Sequence, residues 1–505
     1  MAKNLFKIQN KLYQADWLEI HPLEMVSKSD FYYLQLSNRI LALLDKIMTG
    51  DPFPNEVRRK IAISVSAYFE DIISNLGLWR AMTSIHKTKF GRYLPFYELS
   101  ADDYFHDEIN QKDVQFLIWC ILQRDNIDNG EDNKFINPEN PFIELVALSV
   151  YAIIDAEYET APENSDIYEL IHESDYMNDF FKFREILSWL HYDSYLSMSY
   201  PTINLSKETD KLDDSKLDEF FKNNQDIFAY SIEKTNVFSK NCSPLAIRAN
   251  HWMAEIVTHE SVKEIVKLID FKYIATYNIL ATNEDFIAVK KADSEDDILN
   301  ISLNSLNNPP AFDEINYVMC GLVFFDGYWH VNGFASFGYN DKDEPLEVKK
   351  TDVGENNRLT YESVLKVTKN KQIVYLKDIV AFKRFLKKVF INAGDSELIP
   401  EDIIDDTNMV VFTHPEIGLV MLPDIALFLK DKDNPYYDKE VATKQGFSIL
   451  AGGYSCSKQM IDYIITNGLL QDAAVNSLHG VVHGRKLVQE NIEFFVRFFQ
   501  PELYC

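Results

Sequence analysis

The spacing of apolar residues changes once along this chain, and that change is the strongest constraint on its fold. Up to about residue 200 apolar side chains recur every three or four positions, as in Val57, Ile61, Val65 and Phe69, which predicts amphipathic helices. From residue 271 they come in short runs rich in β-branched side chains, which predicts strands. Separate helical and strand segments are typical of the α+β class.

Two of the short runs flank the dipeptide Asp326-Gly327, which favours a tight hairpin turn because glycine tolerates a positive φ. We therefore predict that Ile315–Phe325 and Tyr328–Phe337 pair as antiparallel strands. The other strands predicted for this small antiparallel, barrel-like unit are Tyr273–Leu280, Phe286–Lys290 and Ile298–Leu303.

The length of the chain predicts more than one compact unit. A single hydrophobic core stops growing at about 250–300 residues, and this chain has 505. The segment 202–218 is rich in Lys, Asp, Ser and Thr, which is typical of a linker. The predicted order is an acidic helical domain (1–201), the linker candidate (202–218), a helical connector (219–270), a β-rich unit with the hairpin (271–370) and a mixed, mostly helical C-terminal region (371–505).

Negative charge is concentrated in one fifth of the chain. The formal net charge is −28, and residues 101–200 hold 5 basic against 22 acidic groups, a balance of −17. Nucleic-acid binding depends on Lys and Arg that neutralise phosphates, so a nucleic-acid partner is not expected. A basic protein partner fits this charge, with Asp155, Glu157 and Glu159 as candidate contacts, although the charge can also serve solubility alone.

The cysteines and the apolar segments indicate a cytoplasmic protein. The five cysteines are far apart and form no C-x-x-C pair, which is typical of reduced thiols. The first residues contain no apolar signal segment. The longest apolar stretch, 142–156, is interrupted by Glu144 and Asp155 and is shorter than the ~20 residues that span a bilayer. We expect no membrane span, and the oligomeric state stays open.

Seven strings together resemble one known family. In order and spacing they are similar to an uncharacterised bacterial family of full-length proteins that is known only as a domain of unknown function. The resemblance covers most of the chain and implies a bacterial cytoplasmic protein, but it carries no catalytic residue to transfer. The strings are YFEDIISNLGLW (68–79), KFGRYLPFY (89–97), INQKDVQFLIW (109–119), DGYWHVNG (326–333), FTHPEIGLVMLPDIA (412–426), KDKDNPYYD (430–438) and ENIEFFVRFF (490–499).

The motifs of common enzymes are missing from the sequence. It contains no phosphate-binding loop, dinucleotide-binding turn, zinc-protease helix or nucleophile elbow. The leading hypothesis is therefore a non-enzymatic protein-interaction factor that uses an acidic surface. The alternative is an enzyme of unrecognised type, with its site in a groove between the helical and β-rich regions. Its candidate catalytic residues are His330, His414, Glu416 and Asp424.

Two further patterns suggest weaker candidate sites. His251 and Glu255 are four residues apart, so a helix would place them on one side, where at most two ligands could share a metal ion. We nevertheless expect no metal and no organic cofactor. Trp329 alternates with His330 in the predicted hairpin, so it can face either a binding partner or the interior of the barrel.

Overall fold

The computed structural model divides the chain into two compact units. The first comprises residues 1–128, 141–349 and 504–505, and the second comprises 129–140 and 350–503. The structure describes residues 10–23, 25–48, 54–100, 102–129, 135–173, 179–197, 237–242, 244–292, 297–306, 312, 315–338, 353–390, 407–470, 472 and 479–504. The linker candidate 202–218 and the first part of the predicted connector, 219–236, lie outside these residues.

The N-terminal part of the first unit is built from helices. In α3 the residues Val57, Ile61, Val65 and Phe69 are all buried, so the apolar spacing of the sequence does form the face that packs on the core. The helices are α1 (Gln14–Leu18), α2 (Asp30–Ile47), α3 (Asn55–Ile73), α4 (Leu78–Phe90), α5 (Gln111–Asn129), α6 (Pro141–Asp155), α7 (Ser165–His172), α8 (Phe180–Ser188), α9 (Ala249–Ile256) and α10 (Glu260–Lys267).

A buried carboxylate joins α3 to α4. Asp71, near the end of α3, accepts hydrogen bonds from the backbone N–H groups of Gly77, Leu78 and Trp79, which open α4. It also accepts one from the Tyr195 hydroxyl at 2.6 Å. The first N–H groups of a helix have no partner inside the helix, so this side chain completes α4 from a neighbouring element.

The C-terminal part of the first unit is a closed five-stranded barrel. Around the barrel the strands run β3-β4-β5-β7-β6, with β6 paired back to β3. This strand order, with β5 and β7 parallel, is that of the OB-fold, a five-stranded Greek-key barrel. The strands are β3 (Asp270–Thr282), β4 (Phe286–Lys291), β5 (Leu299–Ser302), β6 (Tyr317–Phe325) and β7 (Tyr328–Gly338), and a short pair, β1 (Asn241–Cys242) and β2 (Ile247–Arg248), precedes them.

One pair of neighbouring strands in this otherwise antiparallel barrel is parallel. Ile301 of β5 pairs in parallel with Trp329 of β7, whereas the other neighbours are antiparallel. A ring with an odd number of strands cannot alternate direction at every step, so closing five strands requires at least one parallel pair. The barrel encloses a core that includes Tyr277, Val289 and Val331, and Trp329 packs at its edge, only partly buried.

The hairpin predicted at Asp326-Gly327 is confirmed. Phe325 pairs with Tyr328 across the two-residue turn. Both turn residues have positive φ, 47° at Asp326 and 83° at Gly327. Two consecutive positive φ values define the turn whose twist matches that of paired strands.

The second unit contains a three-stranded antiparallel sheet in the order β10-β9-β8. Apolar residues of its first two helices, such as Val364 and Phe382, pack with Val411 of the sheet in one core. The first of these helices lies inside the segment predicted as β-rich (271–370). The elements are α11 (Val353–Thr368), β8 (Ile373–Asp378), α12 (Ile379–Val389), β9 (Thr407–His414), β10 (Gly418–Leu422), α13 (Lys439–Gln445), α14 (Lys458–Thr466), α15 (Val481–Glu490) and α16 (Ile492–Phe499).

The α+β class and the order of its parts are confirmed: helices first, then the barrel, then a mixed region that ends in helices. Within the described residues, no single helix has the length and apolar character needed to cross a membrane. The helices α3 and α4 meet those criteria only as a pair, and they are bent by 89°.

Candidate functional site

A cavity of about 570 Å³ lies where helix α8 packs against one end of the barrel. The start of α8 contributes Asp179, Phe180 and Phe181 to its wall. The barrel contributes the loop between β3 and β4, the end of β5 and the hairpin turn. The residues from the barrel are Asp285, Ser302, Asn304, Phe325, Asp326, Tyr328 and His330.

Two buried polar residues line this cavity, Ser302 and His330, and His330 carries the titratable ring. It is 9% exposed, and its ring stacks on Phe180 with 4.6 Å between centroids and 19° between planes. Nε2 lies 3.1 Å from the carbonyl oxygen of Phe325, so it carries the proton that this contact requires. Nδ1 is buried and has no hydrogen-bond partner among the described residues. Burial lowers the pKa of His330, so the neutral ring offers Nδ1 as an acceptor.

The charged residues in the described lining of the cavity are all aspartates. Asp285 and Asp326 are exposed at its rim, and the negative charge of Asp326 acts directly on His330. Asp179 caps α8 through Oδ1, which accepts the N–H groups of Phe181 and Lys182. Two donors at the start of the helix are therefore already used. The cavity is negative, and aromatic rings form much of its wall.

His414 and Glu416 lie together in the second unit. Both line a cavity of about 700 Å³ beside α14, with 3.9 Å between His414 Nδ1 and Glu416 Oε2. The same Nδ1 accepts the backbone N–H of Glu416 at 3.3 Å, and Gln459 donates to the Glu416 carboxylate at 2.7 Å. Asp424 precedes a short 3-10 turn with φ 62° and is not among the described residues that line this cavity.

His251 and Glu255 lie on the exposed side of α9, four residues apart as predicted. Burial lowers the pKa of His251, and the charge of Arg248 lowers it further. Trp329 lines a separate cavity of about 640 Å³ on the barrel, where the Lys272 ammonium lies 5.0 Å from its ring centroid. His330 and Trp329, adjacent in sequence, thus line two different cavities.

Sequence reasoning missed a buried cluster of His21, Asp30 and Glu70. Among the described residues this is the one group of three ligand-type side chains whose ligand atoms all lie within 4.8 Å of one another. His21 contacts Glu70 through Nε2 at 2.6 Å and the Trp17 carbonyl through Nδ1 at 2.7 Å. Burial alone would lower the pKa of His21, but the charge and hydrogen bond of Glu70 raise it.

With a proton on both ring nitrogens, His21 is positively charged and forms a buried ion pair with Glu70. Asn164 donates to Glu70 at 2.8 Å, and the Trp17 indole donates to Asp30 at 3.1 Å. A metal ion would have to displace the His21 proton and several of these hydrogen bonds. The cluster was not foreseen because its members come from three segments, and no local spacing signals their contact.

Two acidic segments converge around Tyr151 and Tyr158. Burial raises the pKa of Tyr158, and the charges of Glu108, Glu159 and Asp107 raise it further. Burial and the charges of Asp155, Asp113 and Glu108 do the same for Tyr151. We define the exposed residues Asp107, Glu108, Asp155 and Glu159 as the acidic patch.

Glu157, the third predicted contact residue, already has partners within the protein. It pairs with Arg39 at 2.6 Å and accepts a hydrogen bond from Tyr32 at 2.8 Å. These two hydrogen bonds lower the pKa of Glu157. Asp155 and Glu159 are therefore the members of the predicted set that project to solvent.

The fold and the cavities define a two-unit α+β protein with an OB-type barrel and an acidic cavity beside it. The chain belongs to the family described as protein of unknown function (DUF3843), whose model matches residues 11–295 and 337–500. The unmatched stretch, 296–336, holds β5, β6 and the hairpin turn. No curated protein and no solved structure matches the chain.

Proposed function

We propose that this chain is a bacterial, cytoplasmic protein-interaction factor that recruits a basic protein partner through the acidic patch. The observation that carries the proposal is that exposed carboxylates from segments about fifty residues apart in sequence act together on Tyr151 and Tyr158 and raise the pKa of both. A field of one sign on an exposed face speeds the encounter with a partner of opposite charge.

The patch has the features of a protein contact surface. Its four carboxylates are exposed, and Tyr151 and Tyr158 between them are half-buried. Tyrosine is enriched at protein interfaces because it offers a large apolar ring and a polar tip. Asp155 is the last residue of α6, and its carboxylate also accepts a hydrogen bond from Tyr151 one turn earlier.

The alternative, an enzyme in the groove between the helical and β-rich parts, has less support. His330 lines that groove, but His414, Glu416 and Asp424 belong to the second compact unit. A neutral histidine could act as a general base only beside a nucleophile or a bound substrate. A binding function therefore accounts for the described residues without requiring a further catalytic group.

Affinity capture with matched variants tests the proposal. The patch variant carries Asp107→Lys, Glu108→Lys, Asp155→Lys and Glu159→Lys. The control carries Glu173→Lys, Glu255→Lys, Glu264→Lys and Asp297→Lys, which change the net charge equally at other exposed positions. Each protein is used as bait in a lysate of its native host, and the captured proteins are quantified by mass spectrometry.

We expect a basic protein that wild type and the control capture equally and that the patch variant loses. A partner that binds all three baits equally would exclude the acidic patch as the recruiting surface. Equal loss from both variants would show that net charge alone, and not this surface, holds the partner.

A further inference from the structure

We propose that the cavity between α8 and the barrel is a binding site for the guanidinium group of an arginine side chain presented by a peptide or protein. This site is separate from the acidic patch and does not depend on it. Its parts are the unpartnered Nδ1 of His330, the carboxylates of Asp285 and Asp326, and the aromatic rings of Phe181 and Tyr328.

The unpartnered nitrogen is the observation that points to a ligand. A buried polar atom without a hydrogen bond is costly, and such atoms are rare in folded proteins. Because Nε2 of His330 is committed to the Phe325 carbonyl, Nδ1 can only accept. His330 lines the cavity, so a ligand bound there that brings an N–H or O–H donor can supply the missing partner once the ring turns toward it.

The negative charge of the cavity favours a positively charged ligand over a neutral or negative one. The described lining contains three aspartates and neither Lys nor Arg. Arg184, on the next turn of α8, stacks over Phe180 and Phe181 at 5.9 and 5.2 Å, but it is not among the described lining residues. An anion would meet the carboxylates at the rim, whereas a cation would form charge-assisted hydrogen bonds with them.

The aromatic wall favours guanidinium over ammonium. Phe181 and Tyr328 are only partly covered, and both line the cavity. A guanidinium group is planar, stacks on aromatic faces, and has five donors in a fixed plane. One face of the group can therefore rest on a ring while its donors point toward the carboxylates and the imidazole that line the same cavity. An ammonium is a more strongly hydrated point charge and gains less from the rings.

Calorimetric titration of the full-length protein with short blocked peptides tests this inference. The first peptide is acetyl-Gly-Ser-Arg-Ser-Gly-amide. In the second, citrulline replaces arginine, which keeps the shape and removes the charge, and in the third, lysine replaces it. Free agmatine is the fourth probe, since it carries a guanidinium group without a peptide. Concentrations up to about 10 mM cover weak single-residue affinities.

We expect the arginine peptide to bind at least about tenfold more tightly than the citrulline peptide and more tightly than the lysine peptide. Equal affinity of arginine and citrulline, or no binding of the arginine peptide at all, would overturn the inference. Binding of agmatine without binding of the arginine peptide would overturn the assignment to a side chain and indicate a small free cation instead.

Three substitutions locate the binding in the cavity. Asp285→Asn and Asp326→Asn remove charge at exposed positions without changing shape, and His330→Phe removes the acceptor while keeping a ring against Phe180. Asp297→Asn is the matched control, because Asp297 is exposed and lines a different cavity of the barrel. We expect each of the three to weaken arginine binding several-fold and the control to bind as wild type does. If both aspartate variants bind like wild type, the cavity is not the site, whatever the histidine variant does.

Discussion

At the scale of single residues, Gly327 occupies a position of the hairpin turn that requires a positive φ. Its φ is 83°, and a Cβ built there would meet no atom within 4 Å. A substitution at this position therefore costs backbone strain and no steric clash. Asp326 before it also has positive φ, and Asp tolerates that conformation better than most residues.

Replacing Gly327 by Val should lower the free energy of unfolding by about 1–3 kcal/mol, because a β-branched residue is strained at positive φ. Gly327→Asn is the control, since asparagine adopts this conformation readily, and it should cost less than half as much. Thermal and denaturant unfolding of the two variants measure the difference. Equal stability of both variants and wild type would contradict the turn geometry.

Burial changes the pKa of the Asp113 carboxyl and makes the stability of the protein depend on pH. Asp113 is fully buried and accepts hydrogen bonds from Tyr68 at 2.9 Å and Tyr104 at 2.8 Å. Burial raises its pKa from 3.8 to about 7 against the opposing effect of these hydrogen bonds. Between about pH 4 and pH 7 the Asp113 carboxyl is therefore protonated in the folded protein but ionised in the unfolded chain. The resulting stabilisation is complete below about pH 4 and is lost as the pH rises through about 7.

Asp113→Asn should remove this pH dependence. We expect the free energy of unfolding of wild type, relative to the variant, to decrease between about pH 4 and pH 8, by on the order of 1.4 kcal/mol per unit of pKa shift. Urea unfolding of both proteins at several pH values measures the difference. A difference that stays constant or increases with pH would show that Asp113 is ionised in the folded protein throughout.

The sequence predicts the structural role of Gly327 but not that of His330. Gly327 was predictable because a turn is a local structure and its dipeptide is specific. The buried Nδ1 of His330 was not, because Phe180, which covers the ring, lies 150 residues away in sequence. The sequence indicates His330 as a candidate residue of the groove, but its tautomer follows only from the contact with Phe325.

At the scale of elements, α4 depends on a side chain outside itself. Asp71 accepts three backbone N–H groups and the Tyr195 hydroxyl, all of them buried. Asp71→Ala should cost about 3 kcal/mol or more, since each buried donor left unpaired costs about 1–3 kcal/mol. Tyr195→Phe removes one donor together with its need for an acceptor and should cost about 1 kcal/mol. Chemical denaturation compares them, and equal costs would show that the backbone contacts of Asp71 contribute little.

The helices and strands themselves were largely predictable, and their closure into a barrel was not. Alternation and turn residues predicted each of the five strands, since these signals lie within ten residues. Ile301 of β5 pairs with Trp329 of β7, although β6 lies between these two strands in the sequence. Local sequence signals do not report such a pairing, which forms only when the barrel closes. Trp329 is partly buried against the barrel core, whereas the alternation alone left open whether it faces a partner or the interior.

At the scale of the whole molecule, charge is the feature that sequence and structure share. The balance of −17 over residues 101–200 predicted an acidic surface, and the structure gathers members of two acidic segments around Tyr151 and Tyr158. The sequence could not show that Glu157 is paired with Arg39, because 118 residues separate the two. Which carboxylates remain open to a partner is thus decided by the fold.

The salt dependence of association tests the central claim, that an acidic face recruits a basic partner. Stopped-flow mixing of the protein with the captured partner, at about 50 mM and about 300 mM salt, gives the association and dissociation rates separately. Because salt screens exposed charges beyond about 8 Å at physiological strength, association should slow by about tenfold or more, while dissociation changes little. The patch variant should show the slow rate at both salt concentrations. An association rate that is the same at both salt concentrations for wild type would contradict the account.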